Sequence, residues 1–290
     1  MTRLAVTKTY KLYINGKFPR SESGRSTVVS DTRGEVLAHI CRGSRKDLRD
    51  AVEAARSAQP RWAGATAYNR GQVLYRMAEM LEGKHQEFSS ILAATTGAGI
   101  AAARKEVDAS IDRLVCFAGW ADKFAQVLGC HNPVAGPYYN FTVPEPTGVV
   151  GVVAPDEPAL LGLVSLAAPP ICAGNAVVVV ASEQHPLPAA VVAEVCATSD
   201  VPAGVVNIVT AHRDELLDHL SQHRDVDAIS AVNLSKSQAA ILRLGAAQNI
   251  KRVHVTRRTA GKWYDAADCE SPWAIEPFVE MKTIWHPSGS

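Results

Sequence analysis

From residue 149 onward, the sequence alternates short apolar runs with helix-like segments of about ten residues. The runs are VVGVVA (149–154), AVVVVA (176–181), VVNIV (205–209), AISAV (228–232) and RVHVT (252–256). Runs this short and this apolar are typical of strands buried on both faces of a parallel sheet, joined by crossover helices. The pattern predicts an α/β fold with a doubly wound, Rossmann-like parallel sheet over residues 148–259. Such a fold does not by itself supply an activity.

The region before this sheet, residues 1–135, is predicted to hold a hairpin and helices. The segment YKLYINGKF alternates around Asn15 and Gly16, which is a strong hairpin signal. Ser44, followed three residues later by Asp47, resembles a capping box at the start of a helix. Helical spacing of apolar residues predicts a second helix over 67–83 and one long helix over 102–129.

Composition excludes several classes of protein. The chain has 290 residues, a formal net charge of +1 and 47% hydrophobic residues. Such a balance gives no sign of a nucleic-acid partner. The first residues lack the apolar core of a signal peptide and the later apolar runs are interrupted, so we expect a cytoplasmic protein without a membrane partner. The cysteines are scattered singly and are predicted to be reduced: 41, 116, 130, 172, 196 and 269.

Several segments, in order, resemble the aldehyde dehydrogenase superfamily. They are YINGKF, AYNRGQVLYRMAEMLE, PEPTGVVGVVAP, GNAVVVVASEQHPLPA and VPAGVVNIVT. The likeness runs over roughly residues 10–255, far more than a single short motif provides. Within the superfamily the chain resembles the second, degenerate and non-catalytic copy of the family-16 type. The resemblance implies the fold of the NAD-binding domain.

The resemblance also assigns the two ends of the expected oligomerisation element. The segment 136–147 is similar to an extended oligomerisation hairpin segment. The tail EPFVEMKTIWHP is similar to the superfamily's C-terminal strand, which joins that segment. We therefore expect residues 260–290 to form a linker followed by a C-terminal oligomerisation strand.

The turn after the first strand of the sheet departs from the active members of the family. Their Pro-Trp-Asn-Phe-Pro turn carries an Asn that donates to the developing oxyanion, whereas this chain has Pro155-Asp156-Glu157-Pro158. An ionised carboxylate only accepts hydrogen bonds and repels a forming negative charge. We interpret Asp156 or Glu157 as a cap of the following helix, with Pro158 at its first position.

The NAD contacts that the resemblance implies are also reduced. Where active members read Lys-Pro-Ser-Glu to hold the ribose, this chain has Val180-Ala181-Ser182-Glu183, and valine cannot donate a hydrogen bond. Leu234 stands where a small residue is expected next to the pyrophosphate. Ser182 and Glu183 remain as vestigial candidate cofactor-binding residues, with an exposed acid as the simpler interpretation of Glu183. No cofactor is firmly expected, and NAD binding is predicted to be weakened.

No catalytic residue is predicted. Thr256-Arg257-Arg258-Thr259 replaces the motif whose Glu acts as general base, and residues 260–271 are too few for a catalytic domain of about 100 to 200 residues. Cys116, Cys172 and Cys196 lie in apolar helical contexts, and the acids around Cys269 are expected to raise its pKa. His212, His219 and His223 fall on one helical face but lack an evident further ligand, so no metal site is predicted.

These observations favour a non-catalytic subunit that serves as a structural or regulatory partner of a full-length NAD-dependent aldehyde dehydrogenase, or that assembles with itself. Two alternatives stay open at this point. One is a stand-alone protein that binds NAD or a related nucleotide. The other is a component of a heteromeric oxidoreductase in which an active partner oxidises the aldehyde.

Overall fold

The structure, a computed structural model, describes residues 6–288, so the outer ends of the predicted N-terminal part and tail, residues 1–5 and 289–290, lie outside the described residues. The strands are β1 Lys8–Tyr10, β2 Ser26–Ser30, β3 Val36–Cys41, β4 Cys130–Asn132, β5 Tyr138–Pro146, β6 Val149–Val153, β7 Ala176–Val180, β8 Val206–Val209, β9 Ala228–Val232, β10 Arg252–Thr256 and β11 Val279–Pro287. The helices are α1 Arg45–Ala63, α2 Ala67–Gly83, α3 His85–Thr96, α4 Ile100–Trp120, α5 Phe124–Leu128, α6 Ala159–Ala173, α7 Leu187–Ala197, α8 Arg213–Gln222, α9 Lys236–Ala247 and α10 Ala266–Cys269.

The predicted parallel sheet is confirmed. Its strand order is β10-β9-β6-β7-β8, and all neighbouring strands are parallel. The chain starts at the central strand β6, moves outward to β8 and then returns to β9 on the other side of β6. The topological switch point, where this fold class places its ligands, therefore lies between the carboxyl ends of β6 and β9.

Two helical layers bury the two faces of this sheet. Helices α2, α3, α4, α6 and α7 pack on one face, which Val150 and Val152 of β6 line. Helices α1, α8 and α9 pack on the other face, which Val149 and Val153 line. Because successive residues of a strand point to opposite faces, a continuous valine run is what a strand needs when both faces are covered.

The N-terminal elements match the sequence signals where those signals are local. Asn15 and Gly16 adopt positive φ angles of 53° and 70°, and Ile14 pairs with Lys17, so the hairpin turn is confirmed. The Ser44 capping box at the start of α1 and the helix over 67–83 are also confirmed. Among these elements, the strands β2 and β3 and the helix α3 were not predicted.

The prediction of one long helix over 102–129 is wrong at residues 121–123. There the Ala121 N–H bonds to the carbonyl of Ala118, which tightens the last turn of α4, and a short turn precedes α5. The Phe124 side chain is buried in the core at the start of α5. The turn re-aims the chain so that Phe124 faces inward, and helical periodicity alone does not reveal such a turn.

The tail forms the expected strand. In the described part of the chain, β11 pairs antiparallel with β5 from Val279 opposite Pro146 to Pro287 opposite Tyr138, and β4 pairs on the other side of β5. Residues 257–278, hereafter the connector, link β10 to β11 through short 3-10 turns and the four-residue α10. Across residues 6–288, no helix is both long and apolar enough to cross a membrane.

A core substitution under the central strand tests the packing of α8. Leu220 is fully buried, and a Cβ built on Gly151 of β6 would lie 2.9 Å from Leu220 Cδ1, so the leucine fills the space above the glycine. We expect Leu220→Ala to lower the free energy of unfolding by about 2–5 kcal/mol, because it leaves a cavity. Leu244→Ala on α9, where the side chain is exposed, should change it by less than about 0.5 kcal/mol in denaturant titrations. Equal effects of the two changes would contradict this packing.

Candidate functional site at the carboxyl end of the sheet

An ion pair between a buried arginine and a half-buried aspartate occupies the turn that follows β6. Asp156 accepts hydrogen bonds from Arg213 Nη1 at 2.7 Å and from Nη2 at 2.8 Å, and the arginine side chain is only 8% exposed. Arg213 Nη2 also donates to the carbonyl oxygen of Ala154 at 2.6 Å. Arg213 begins α8, directly after β8, so this pair joins the carboxyl ends of β6 and β8. Bidentate pairing of this kind is both strong and geometrically specific.

The same carboxylate also holds the turn after β7. Asp156 Oδ1 accepts from Ser182 Oγ at 2.8 Å and from the backbone N–H groups of Glu183 and Gln184 at 3.1 and 3.2 Å. Burial alone would raise the pKa of Asp156, but Arg213 and these donors together hold that pKa below its ordinary value. Asp156 is therefore an ionised anchor for three neighbouring turns.

The prediction that Asp156 or Glu157 caps α6 is wrong. Pro158 is the N-cap residue, no side chain of the turn caps the helix, and α6 begins at Ala159. The backbone N–H groups of Leu160 and Leu161 instead donate to Glu106 Oε1 at 2.8 and 3.2 Å. Glu106 belongs to α4, so the cap comes from a segment far away in sequence. Burial raises the pKa of Glu106, although these two N–H donors oppose the shift.

The two candidate cofactor-binding residues lie at the end of β7 and use their polar atoms within the chain. Ser182 Oγ donates to Asp156 and accepts from the His185 N–H at 2.9 Å. Glu183 Oε1 bonds His212 Nδ1 at 2.6 Å, and its Oε2 accepts from the Arg213 N–H at 3.0 Å. Glu183 thus caps α8. Contact of Ser182 and Glu183 with a ribose stays a prediction.

The turn after β9 is also closed by local contacts. Asn233 has a positive φ of 60°, and its side-chain amide exchanges two hydrogen bonds of 2.9 Å with the backbone of Arg258. Leu234 is buried in the core beneath α9. Ser235 and Gln238 form a capping box at the start of α9. The helix N-terminus expected to receive a pyrophosphate is therefore partly satisfied by its own residues.

Three of the cysteines, Cys116, Cys172 and Cys196, lie in surroundings that do not activate them as nucleophiles. Burial raises the pKa of Cys172 and of Cys196 to about 12. Burial also raises the pKa of Cys116, whose thiol points at the carbonyl oxygen of Glu270. Cys269 is buried rather than exposed between acids, and the guanidinium of Arg258 contacts its sulfur.

The histidine face predicted from sequence does not gather ligands. His212 precedes α8 and bonds Glu183, whereas His223 follows the helix and its pKa is lowered by burial. Within residues 6–288, no cluster of three or more His, Cys, Asp or Glu side chains could hold a metal ion.

Sequence reasoning missed Arg213, although a signal was present. An arginine in the first turn of a helix opposes the helix dipole, so it indicates a nearby carboxylate. The partner, Asp156, lies in the acidic turn after β6, which is separated from β8 by the strand β7.

Comparisons with known proteins agree with this fold. A sequence model of the aldehyde dehydrogenase family matches residues 18–261. The chain is 33% identical to mitochondrial benzaldehyde dehydrogenase of Antirrhinum majus over 92% of its length and 50% of that protein. It is 34% identical to mitochondrial aldehyde dehydrogenase family 2 member B4 of Arabidopsis thaliana over 84% of its length and 45% of that protein.

A solved structure gives the same result. The NAD+ complex of an aldehyde dehydrogenase from Bacillus cereus superposes with a TM-score of 0.81 at 27% identity, covering 86% of this chain and 51% of that one. The chain thus spans about half the length of these relatives.

Removal of Arg213 tests the anchor. Arg213→Ala leaves a half-buried carboxylate, 22% exposed, without its charge partner, so we expect it to lower the free energy of unfolding by about 1.5–3 kcal/mol. Asp50→Ala, in the solvent-exposed pair with Arg49, is the control and should cost less than about 1 kcal/mol. Denaturant unfolding of the two variants measures both values. A small effect of Arg213→Ala would show that the pair is not the anchor of this edge.

The lowered pKa of Asp156 predicts a pH dependence. Its stabilising contribution is complete above the ordinary aspartate pKa of about 3.9 and is lost as the pH falls through the lower pKa of the folded state. Wild type should therefore lose stability across that acidic range more steeply than Asp156→Asn, which carries no titrating group there. Thermal unfolding measured as a function of pH compares the two. Parallel curves for the two proteins would refute this assignment.

Proposed function

Because this chain belongs to the aldehyde dehydrogenase family but carries a locked ion pair at the reactive end of its sheet, we propose that it acts as a non-catalytic subunit. Its partner is a full-length NAD-dependent aldehyde dehydrogenase, which it supports structurally or regulates. The observation that carries the proposal is the position of Asp156, fixed by Arg213 in the turn where active members present an amide donor.

The chemistry of the turn supports this proposal. Stabilisation of an oxyanion requires donors aimed at the place where negative charge develops. Asp156 is an acceptor held ionised, and the guanidinium that could neutralise a charge already bonds it twice. Neither group is free to donate to a substrate oxygen unless the edge comes apart.

The sheet of β4, β5 and β11 supports assembly with a partner. Its edge strand β11 exposes Trp285 (58%) and Met281 (45%), and the Trp285 ring meets Tyr138 of β5 edge-on at 5.8 Å. Exposed aromatic residues on a long edge strand are a liability for a free monomer, because the unpaired backbone invites another chain. A partner that covers this sheet removes that liability.

No specific observation favours the stand-alone nucleotide-binding alternative. The polar atoms of Ser182 and Glu183 that a ribose would need bond Asp156, His212 and Arg213 within the chain. In the heteromeric alternative, the active partner oxidises the aldehyde. That alternative therefore agrees with the proposal in pairing this chain with an active enzyme.

Affinity purification from the cells that make this chain, under gentle conditions and with mass analysis, tests the proposal. We expect a full-length aldehyde dehydrogenase to co-purify in a fixed ratio. The purified chain alone, supplied with NAD+ and an aldehyde, should form no NADH. A homodimer that brings no such partner, or oxidation of aldehyde by the chain alone, would overturn the proposal.

A matched pair of variants locates the contact. Trp285→Asp places a charge on the exposed face of β11 and should abolish co-purification, because a buried unpaired charge is strongly unfavourable in an interface. Leu244→Asp, at a comparably exposed leucine on α9, should leave the complex intact. Loss of the partner in both variants would indicate a general effect on folding rather than an interface at this sheet.

A further inference from the structure

The connector runs back over the sheet at its switch point. Its central aromatic residue, Trp263, is completely buried and packs against Leu161, in the first turn of α6, and Val232, the last residue of β9. These two residues belong to the elements that border the switch point. A Cβ built on Gly162 would lie 3.7 Å from Trp263 Cη2, so the ring reaches the backbone of α6.

Two arginines hold Trp263 in this place. Arg113 of α4, itself buried, donates from Nη2 to the Trp263 carbonyl oxygen at 2.9 Å and from Nη1 to Ser165 Oγ at 2.6 Å. The guanidinium of Arg258 lies 5.0 Å from the centre of the Trp263 ring, within cation–π range. Arg258 is in turn bonded to Asn233 in the turn after β9.

Further contacts fix the far side of the connector. The Trp120 Nε1 donates to the carbonyl oxygen of Glu270 at 2.7 Å, and the Cys116 thiol points at the same oxygen. The Lys105 ammonium lies 4.9 Å from the centre of the Tyr264 ring. The connector is therefore attached to α4 along its length rather than draped loosely over the sheet.

The indole N–H of Trp263 is buried and has no partner among the described residues. An unsatisfied buried donor is unfavourable, and a tryptophan in a core is usually placed so that its N–H is bonded. The ring is therefore held at this position by packing rather than by a hydrogen bond from its N–H group. It fills an apolar recess between α6 and β9.

The recess lies at the switch point, beyond the carboxyl ends of the strands. In this fold class a dinucleotide binds across that crevice. Together with the Asp156–Arg213 pair on one side and the self-capped start of α9 on the other, the described residues do not fit NAD. We propose that Trp263 is a built-in plug that excludes the nicotinamide ring of NAD(H) from this chain.

The proposal concerns the chain alone and stands apart from the identity of any partner. Equilibrium dialysis of the purified full chain with NADH, and separately with ADP-ribose, which lacks the nicotinamide ring, tests it. Trp263→Leu opens the recess, and we expect it to bind NADH at least about tenfold more tightly than wild type, equivalent to about 1.4 kcal/mol. Its affinity for ADP-ribose should match that of wild type.

Trp273→Leu is the matched control, since this tryptophan belongs to the same connector but is 63% exposed. It should bind both ligands as wild type does. Equal NADH affinity in wild type and Trp263→Leu, including no saturable binding by either, overturns the proposal. An equal gain for ADP-ribose overturns it as well, because the ring would then not be the excluded group.

Circular dichroism checks that Trp263→Leu folds. Trp263→Phe is a second variant that keeps more of the packing, and we expect it to gain less NADH affinity than Trp263→Leu. A measurement on wild type needs no variant. Hydrogen exchange over residues 260–264 should be unchanged by millimolar NADH. A wild-type affinity for NADH at least about tenfold above that for ADP-ribose, with those amides still protected, would overturn the proposal, because the ring would then bind beside an intact plug.

Discussion

The ion pair between Asp156 and Arg213 is the interaction on which the carboxyl edge of the sheet depends. The Asp156 carboxylate lies directly after β6. It accepts hydrogen bonds from the Arg213 guanidinium at the start of α8, and from the Ser182 hydroxyl and two backbone N–H groups after β7. Three turns that would otherwise be independent are thereby fixed relative to one another. Because the Arg213 side chain is buried, its charge is unfavourable without Asp156 beside it.

This constraint also decides what the edge can do. In a parallel sheet the turns beyond the carboxyl ends of the strands supply the donors that meet a ligand. Here those donors meet Asp156, while Glu183 receives the first N–H of α8 and Ser235 caps α9. The comparisons therefore establish the family and the fold of this chain, while the donors at this edge are bonded within the chain. Ser182 and Glu183, which keep their positions, use their polar atoms for contacts within the chain.

The sequence predicted the elements whose causes are local. Continuous valine runs indicated the parallel strands, Asn15-Gly16 indicated a turn with positive φ, and Ser44 indicated a helix start. It failed where the cause lies far away along the chain. The cap of α6 comes from Glu106 on α4, and the partner of the acidic turn is Arg213. No window of neighbouring residues contains both members of such a pair, so only the folded chain brings them together.

The short connector between β10 and β11 stands where a catalytic domain would be expected, and it also closes the switch point of the sheet. The apolar surface of Leu161 in α6 and Val232 at the carboxyl end of β9 must be covered, because it would be unfavourable in water. When only residues 257–278 separate β10 from β11, the cover has to come from the connector itself, and a large aromatic ring covers the most surface per residue. Trp263 meets that need from inside the crevice. Trp263, which covers this apolar surface, is thus the same residue that fills the space a ligand would need.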